Sequence, residues 1–218
     1  MLTRADLLFE RFCIERSIVC SRIPTGPDQT PDYEIRLGTK PVAVEVKQME
    51  ANEEDRAFAE KFHRTGRAAW WVDRGRARQS ILDAIKQLRT YAKGRMPTIV
   101  LLYDTIGTST GYLDSGSIAY CLYGPEQWHF AVGRDPGSHA YLGSTFGGGR
   151  VATPQHNTTL SAVAVLREPI SDQRIELLVY HNTYAALPLL PEDLRAEGVR
   201  HFMFRAPDAV RLPRWQEA

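Results

Sequence analysis

The sequence contains little cysteine and no long apolar run. Only three of its 218 residues are cysteine, and no two of them form a CxxC pair. This argues against a disulfide framework or a zinc site and favours a reducing compartment. No stretch approaches the roughly 18 apolar residues of a membrane span, and charges interrupt the apolar residues of the N-terminal MLTRADLLFERF, unlike a signal peptide. We therefore expect a cytoplasmic globular protein with no membrane partner.

The sequence also lacks a charge excess of either sign. Its formal net charge is +1, and 43% of its residues are hydrophobic. A uniformly basic nucleic-acid-binding protein is thereby excluded, so any binding to phosphate must come from a local patch. The length suits one domain with elaborations, or at most two small ones.

The first half of the chain predicts the order helix, strand, strand, strand, helix, strand. The capping pair Thr3 and Asp6 begins the first helix, and the strands are predicted at 18–24, 32–37 and 42–47. The apolar stripe of 77–94 predicts the second helix, and the continuous apolar run 97–104 predicts a strand buried on both faces. A further helix is expected at 53–62.

The second half predicts mainly β-structure. Short aromatic or β-branched runs separated by Gly and Ser indicate antiparallel strands at 118–124, 128–133 and 140–146. Further strands are expected at 159–166, 174–182 and 199–205, with a short helix at 191–198. We expect an α/β (α+β) fold with a mixed β-sheet flanked by helices, in which 1–104 is the core, 49–76 an insertion, and 105–218 a β-rich extension packed on the core rather than an independent domain.

The stretch TPDYEIRLGTKPVAVEVKQ, residues 30–48, predicts an antiparallel hairpin with an unusual polar face. A symmetric loop at Gly38-Thr39 places Asp32 directly across from Glu45, where facing side chains have Cβ atoms roughly 4.5–5.5 Å apart. Strand alternation puts Lys47 on the same face. The other face is apolar and carries Tyr33, Ile35, Leu37, Val42, Val44 and Val46.

Two carboxylates that face each other repel, so their repulsion must be offset. A raised pKa, the Lys47 ammonium or a divalent cation could do this, and Mg²⁺ prefers carboxylate, water and phosphate oxygens. The pattern therefore suits a site that cleaves phosphate esters. The alternative is an ordinary hairpin whose polar face is solvated.

The residues Pro31-Asp32 and Glu45-Val46-Lys47 resemble the signature of the PD-(D/E)XK nucleases, the restriction-endonuclease-like superfamily. The resemblance covers about the first half of the chain, where the predicted element order αβββαβ is also that of the superfamily core. It implies a nuclease that uses Mg²⁺ or Mn²⁺, and DNA is the substrate that we expect.

The resemblance also implies roles for individual residues. Asp32, Glu45 and the Val46 carbonyl would hold the metal, helped by Glu10 of the first helix, which we prefer to Glu15 because Glu15 has Arg11 as a partner. Lys47 would orient the attacking water or stabilise the phosphorane charge. Gln87, in a QxxxY pattern with Tyr91, would position backbone or water.

A basic segment follows the hairpin and is a candidate nucleic-acid-binding patch. Trp70 and Trp71 lie among its arginines and could stack on bases, although a solvated basic face is the simpler interpretation. With Tyr91, the candidate nucleic-acid-binding residues are Arg64, Arg67, Arg74, Arg76 and Arg78.

Two other interpretations stay open at this point. One keeps the fold but makes the chain a non-catalytic nucleic-acid-binding or protein-docking module. The other drops the resemblance and makes it a β-rich domain that binds a ligand or a protein. A homodimer or a protein partner could use the C-terminal half.

Overall fold

The computed structural model describes residues 2–24, 26, 29–67, 74–105, 112–132, 140–168, 174–205 and 214–218. The helices are α1 (Arg4–Glu15), α2 (Glu53–Thr65), α3 (Arg74–Ala92) and α4 (Ser115–Tyr123), and Pro191–Leu194 form a 3₁₀ turn. The strands are β1 (Val19–Arg22), β2 (Tyr33–Leu37), β3 (Lys40–Met49), β4 (Thr98–Asp104), β5 (Glu126–Ala131), β6 (Ala140–Phe146), β7 (Ala162–Arg167), β8 (Glu176–His181), β9 (Val199–Arg205) and β10 (Arg214–Glu217).

Eight of these strands form one mixed sheet in the order β1-β2-β3-β4-β7-β8-β9-β10. The β3–β4, β4–β7 and β8–β9 pairs are parallel, and the other neighbours are antiparallel. Strands from both halves of the sequence therefore belong to the same sheet. Among the described strands, β5 and β6 pair only with each other and form a separate two-stranded ribbon.

Helices cover the two faces of the sheet and form two apolar clusters. α1 packs Phe9 and Phe12 against the face that carries Tyr33, Val44 and Leu101. On the opposite face, a second cluster is built from α3, α4 and the alternate strand residues, including Ile81, Leu88, Val100, Leu102 and Ile118. All of β4 up to Tyr103 is buried, as the apolar run predicts. The predicted class, a mixed sheet flanked by helices, is confirmed.

Local sequence signals explain where the helices begin and which sides they bury. Thr3 and Asp6 form a complete capping box at the start of α1. Ile81, Ile85, Leu88 and Ala92 are all buried along one side of α3, as their spacing predicts. No helix in the described part of the chain is long and apolar enough to cross a membrane.

The strand predicted at 118–124 is wrong, because this segment forms α4. Its buried residues Ile118, Cys121 and Leu122 have helical i, i+3, i+4 spacing, and the aromatic content of the run outweighed that spacing in the prediction. Asp114 caps the helix by accepting a hydrogen bond from the Ser117 amide at 2.6 Å. Gly124, with φ +86°, ends it.

Candidate functional site

The predicted register of the β2–β3 hairpin is confirmed. Tyr33 pairs with Val44 and Leu37 with Lys40 across the Gly38-Thr39 turn, where Gly38 adopts the left-handed φ of +61° that favours glycine. Asp32 directly precedes β2, and its Oδ2 accepts a hydrogen bond from the Val46 amide at 2.9 Å. Because the N–H and C=O of one strand residue point to the same side, the Val46 carbonyl also faces the edge where Asp32 lies.

Glu45 is the most unusual group on this face. Its residue is only 2% exposed, although it carries a carboxyl group. Oε1 accepts a hydrogen bond from Lys47 Nζ at 2.7 Å, whereas Oε2 is buried and has no hydrogen-bond partner among the described residues. Burial raises the pKa of Glu45 to about 7, the neighbouring Asp32 carboxylate adds to the rise, and Lys47 opposes it.

α3 brings two further predicted residues to the same face of the hairpin. Lys47 Nζ also donates to Gln87 Oε1 at 3.2 Å, and Gln87 Nε2 donates to the Thr30 carbonyl at 3.4 Å. One turn later, the Tyr91 hydroxyl donates to Glu34 Oε2 at 3.2 Å. The structure therefore groups Asp32, Glu45, Lys47 and Gln87, with Glu34 and Tyr91 beside them.

Glu10 lies on the opposite face of the sheet. Its Oε1 accepts a hydrogen bond from the Tyr33 hydroxyl at 2.9 Å, and Tyr33 belongs to the apolar cluster that α1 covers. Burial and the hydrogen bond to Glu10 raise the pKa of Tyr33. The structure does not bring Glu10 to Asp32 and Glu45, because its side of α1 faces Tyr33 and not the polar face of β3.

Two of the predicted arginines have hydrogen-bond partners, two are exposed, and the fifth lies over an aromatic ring. Arg76 forms a 2.7 Å ion pair with the buried Asp55, and Arg78 donates to the Gly149 carbonyl at 2.6 Å. Arg64 and Arg67 are exposed, and the Arg74 guanidinium lies 5.2 Å from the centre of the Tyr120 ring. Trp70 and Trp71 lie outside the described residues.

The oxygens of the hairpin suit a hard cation. Mg²⁺ is commonly held by one or two carboxylates with waters and substrate oxygens, and the hairpin edge offers Asp32, the free Glu45 oxygen and the Val46 carbonyl. Among the described residues, no group of three or more His, Cys, Asp or Glu side chains is placed to hold a metal, so side chains alone do not complete a site. The available ligands therefore fit a partly hydrated ion.

Sequence reasoning did not identify two contacts of this site. The Thr30 carbonyl holds Gln87 from the loop before Asp32, which no residue pattern signals. The link from Tyr91 to Glu34 joins residues 57 apart in sequence, and the QxxxY pattern does not signal it.

Comparisons with protein-family models, with curated proteins and with solved structures find no match. The function of this chain is therefore inferred from its fold and from the geometry of this hairpin.

Proposed function

We propose that this chain is a metal-dependent nuclease that hydrolyses phosphodiester bonds of DNA, using Mg²⁺ or Mn²⁺. The observation that carries the proposal is the buried Glu45 Oε2, which lacks a donor beside a second carboxylate, Asp32. Glu45 keeps its ion pair with Lys47 through Oε1, but leaving the second buried oxygen without a donor is costly. A cation between these oxygens would remove that cost, and Lys47 provides an amine next to them.

The element order supports a restriction-endonuclease-like core. α1, β1, β2, β3, α3 and β4 follow one another in the order αβββαβ, with α2 inside the 49–76 insertion. The Asp of the signature directly precedes β2, and the Glu-x-Lys lies on β3, so both belong to the hairpin at the centre of this order. Fold alone does not imply chemistry, so the site geometry remains the main support.

Three groups of the chain would hold the metal: the Asp32 carboxylate, the Glu45 carboxylate and the Val46 carbonyl. When bound, the ion lowers the pKa of a coordinated water and stabilises charge on the scissile phosphate. The carboxylates must be ionised to act as ligands. Because the pKa of Glu45 is raised to about 7, this ionisation falls within the neutral range.

Lys47 and Gln87 would act on the phosphate side of the site. The Lys47 ammonium has three donors, two of which the structure uses on Glu45 and Gln87. It would donate to the attacking water or to the negative oxygens of the transition state, as a compact point charge. Gln87 is a positioning residue, because it connects Lys47 to the Thr30 backbone.

The test is cleavage of plasmid DNA and of single strands with Mg²⁺ or Mn²⁺. Lys47→Ala and Glu45→Gln should each lose about 100-fold or more in rate, as is typical when a charge-stabilising group is removed. Glu15→Gln is the matched control, because Glu15 is a carboxylate paired with arginines and should retain full activity. Cleavage unchanged in Lys47→Ala would place the activity elsewhere, and DNA binding without cleavage would favour a non-catalytic module.

A further inference from the structure

The β5–β6 ribbon exposes aromatic side chains to solvent. It pairs with no other strand of the described chain, and all six residues of β5 are exposed. Trp128 is 56% exposed, Phe130 53% and Tyr141 37%. An isolated two-stranded ribbon is marginally stable in water, and contiguous exposed apolar surface marks an interaction site.

These aromatic residues share one face of the ribbon. Glu126, Trp128 and Phe130 alternate along β5. The register shifts between His129 and Phe130 because β6 carries one extra residue, Leu142, so the alternation of β5 itself continues and its three side chains point to the same side. Phe130 pairs with Tyr141, and the centres of their rings are 5.5 Å apart. Phe146 pairs with Glu126 and so belongs to this face as well.

The aromatic face continues into a cleft at the base of the ribbon. The cleft has a volume of about 410 Å³, and Glu126 and Phe146 line it together with Tyr120, Phe204 and Trp215. Arg74 lies at the same cleft, with its guanidinium over the Tyr120 ring. Glu126 and Phe146 form the first residue pair of the ribbon. Trp128 is two residues further along β5, a distance of roughly 7 Å. The ribbon face and the cleft therefore form one surface.

An arginine cluster, formed by Arg74, Arg78 and Arg150, surrounds the base of the ribbon. Arg78 donates to the Gly149 carbonyl, and Arg150 donates to the Gly147 carbonyl at 3.0 Å. These acceptors are neutral, and within the described ranges none of the three guanidiniums has a carboxylate partner. Glu126 is the one carboxylate among the described residues that line the cleft, so the cluster places three guanidiniums near the aromatic face.

We propose that the aromatic face of the ribbon, its cleft and the arginine cluster bind single-stranded nucleic acid. The identity of this ligand rests on the proposed nuclease function. Exposed aromatic rings beside guanidiniums bind single strands because unpaired bases stack on the rings while phosphates meet the cations. A duplex keeps its base faces covered, so it cannot use Trp128, Phe130 and Tyr141 in this way.

The experiment measures binding of a labelled thymidine oligonucleotide by fluorescence anisotropy in EDTA. Trp128→Leu with Phe130→Leu keeps the apolar surface but removes the rings, and should weaken binding about 100-fold, or about tenfold for each stacking contact. Trp128→Phe should restore most of the affinity. Ile14→Ala, which truncates an exposed residue of α1, is the control and should bind as wild type does.

Two further measurements use the same protein. Arg74→Gln should lower the slope of log affinity against log salt by about 0.7, the value for one phosphate contact of a single strand. A duplex of the same length should bind more weakly than the single strand and should not respond to the two leucine substitutions. Circular dichroism melts confirm that the variants fold.

Equal affinity of wild type and the double leucine variant would overturn the proposal. So would a concentration-dependent dimer in sedimentation that the leucine variant abolishes while oligonucleotide binding stays unchanged, since the ribbon would then be a contact between copies of this chain. Because binding is measured in EDTA, the two proposals fail separately. Ring-dependent binding without any metal-dependent cleavage would support single-strand binding and overturn the nuclease. Metal-dependent cleavage without ring-dependent binding would support the nuclease and overturn single-strand binding by the ribbon.

Discussion

Two carboxylates are buried to nearly the same extent in this protein, and their surroundings differ. Asp55 is 3% exposed and Glu45 2%. Asp55 Oδ2 accepts from the Asn52 amide at 2.8 Å and from Arg76 at 2.7 Å, and its Oδ1 accepts from the Tyr112 hydroxyl at 3.0 Å. Both Asp55 oxygens are thus satisfied, whereas only one oxygen of Glu45 is.

The pKa values of the two carboxyls shift in opposite directions. Burial acts to raise both, but the donors around Asp55 outweigh it and lower the pKa of that group. At Glu45 burial prevails, and the pKa rises to about 7. The comparison teaches that burial of a carboxylate does not indicate its purpose: the donors around it do. Asp55 has the contacts of a structural ion, whereas Glu45 keeps one buried oxygen without a donor in the described part of the chain, and this is the oxygen for which we propose a metal.

The largest effect is expected when the ion pair of Asp55 is broken. Arg76→Met removes the ion-pair partner of Asp55 and leaves a charge buried, which should lower the free energy of unfolding by about 3 kcal/mol. Arg64→Met, at an exposed arginine of α2, is the control and should change it by less than about 0.5 kcal/mol. Urea denaturation followed by circular dichroism measures both. A loss below about 1 kcal/mol for Arg76→Met would show that Asp55 is not held by this pair.

In contrast to Arg76→Met, the substitution Glu45→Gln should stabilise the metal-free protein at high pH. The pKa of Glu45 rises from 4.5 in the unfolded chain to about 7 in the folded one. The native state therefore binds more protons between these values, and the stability contributed by Glu45 is full below pH 4.5 and is lost as the pH rises through 7. The variant lacks this loss, so it should exceed wild type by about 3 kcal/mol at pH 8.

Urea denaturation of wild type and Glu45→Gln across pH 4 to 8 checks this expectation. The difference between the two proteins should grow with pH and should level off above 7. A constant difference would mean that the Glu45 carboxyl keeps its ordinary pKa in the folded protein. The matched substitution Asp55→Asn should have the reverse sign at every pH above 5, because it removes a carboxylate whose pKa is lowered.

Metal addition sharpens the comparison further. Mg²⁺ should stabilise wild type at pH 8, by about 1.4 kcal/mol at ten times its dissociation constant, and should not stabilise Glu45→Gln. Below pH 7 a proton competes for Glu45, so the affinity for Mg²⁺ should fall about tenfold for each pH unit. Thermal melts with MgCl₂ at pH 6 and pH 8 measure this. Equal stabilisation at both values would indicate binding at surface carboxylates.

The hairpin shows how much of the site the sequence could predict. Its register follows from a short turn and a strict two-residue period, so Asp32, Glu45 and Lys47 could be placed before any coordinates were known. The ion pair of Asp55 with Arg76 spans 21 residues and has no such periodic signal. The exposure of Trp128 and Phe130 was also unpredictable, because alternation indicates a strand but does not say what covers it.

The sheet face on which α1 packs is the clearest example of a feature that the sequence could not predict. Helical spacing shows that Glu10 lies outside the apolar stripe of α1, but it does not predict which part of the sheet the helix packs against. The placement depends on contacts such as Phe9 against Tyr33, whose ring centres are 5.4 Å apart. These contacts involve residues distant in sequence, and only the assembled fold supplies them.

The smallest expected effect concerns Glu10, the candidate that lies away from Glu45. Glu10→Gln removes the charge but retains an acceptor for the Tyr33 hydroxyl, so it should lower the free energy of unfolding by less than about 1 kcal/mol. Because Glu10 lies on the α1 face, we expect its rate of metal-dependent cleavage to match that of Glu15→Gln within about threefold. Single-turnover cleavage and Mg²⁺-dependent melts of both variants make the test. A loss of about 100-fold confined to Glu10→Gln, with its Mg²⁺ stabilisation also lost, would mean that α1 moves to bring Glu10 to the metal when substrate binds.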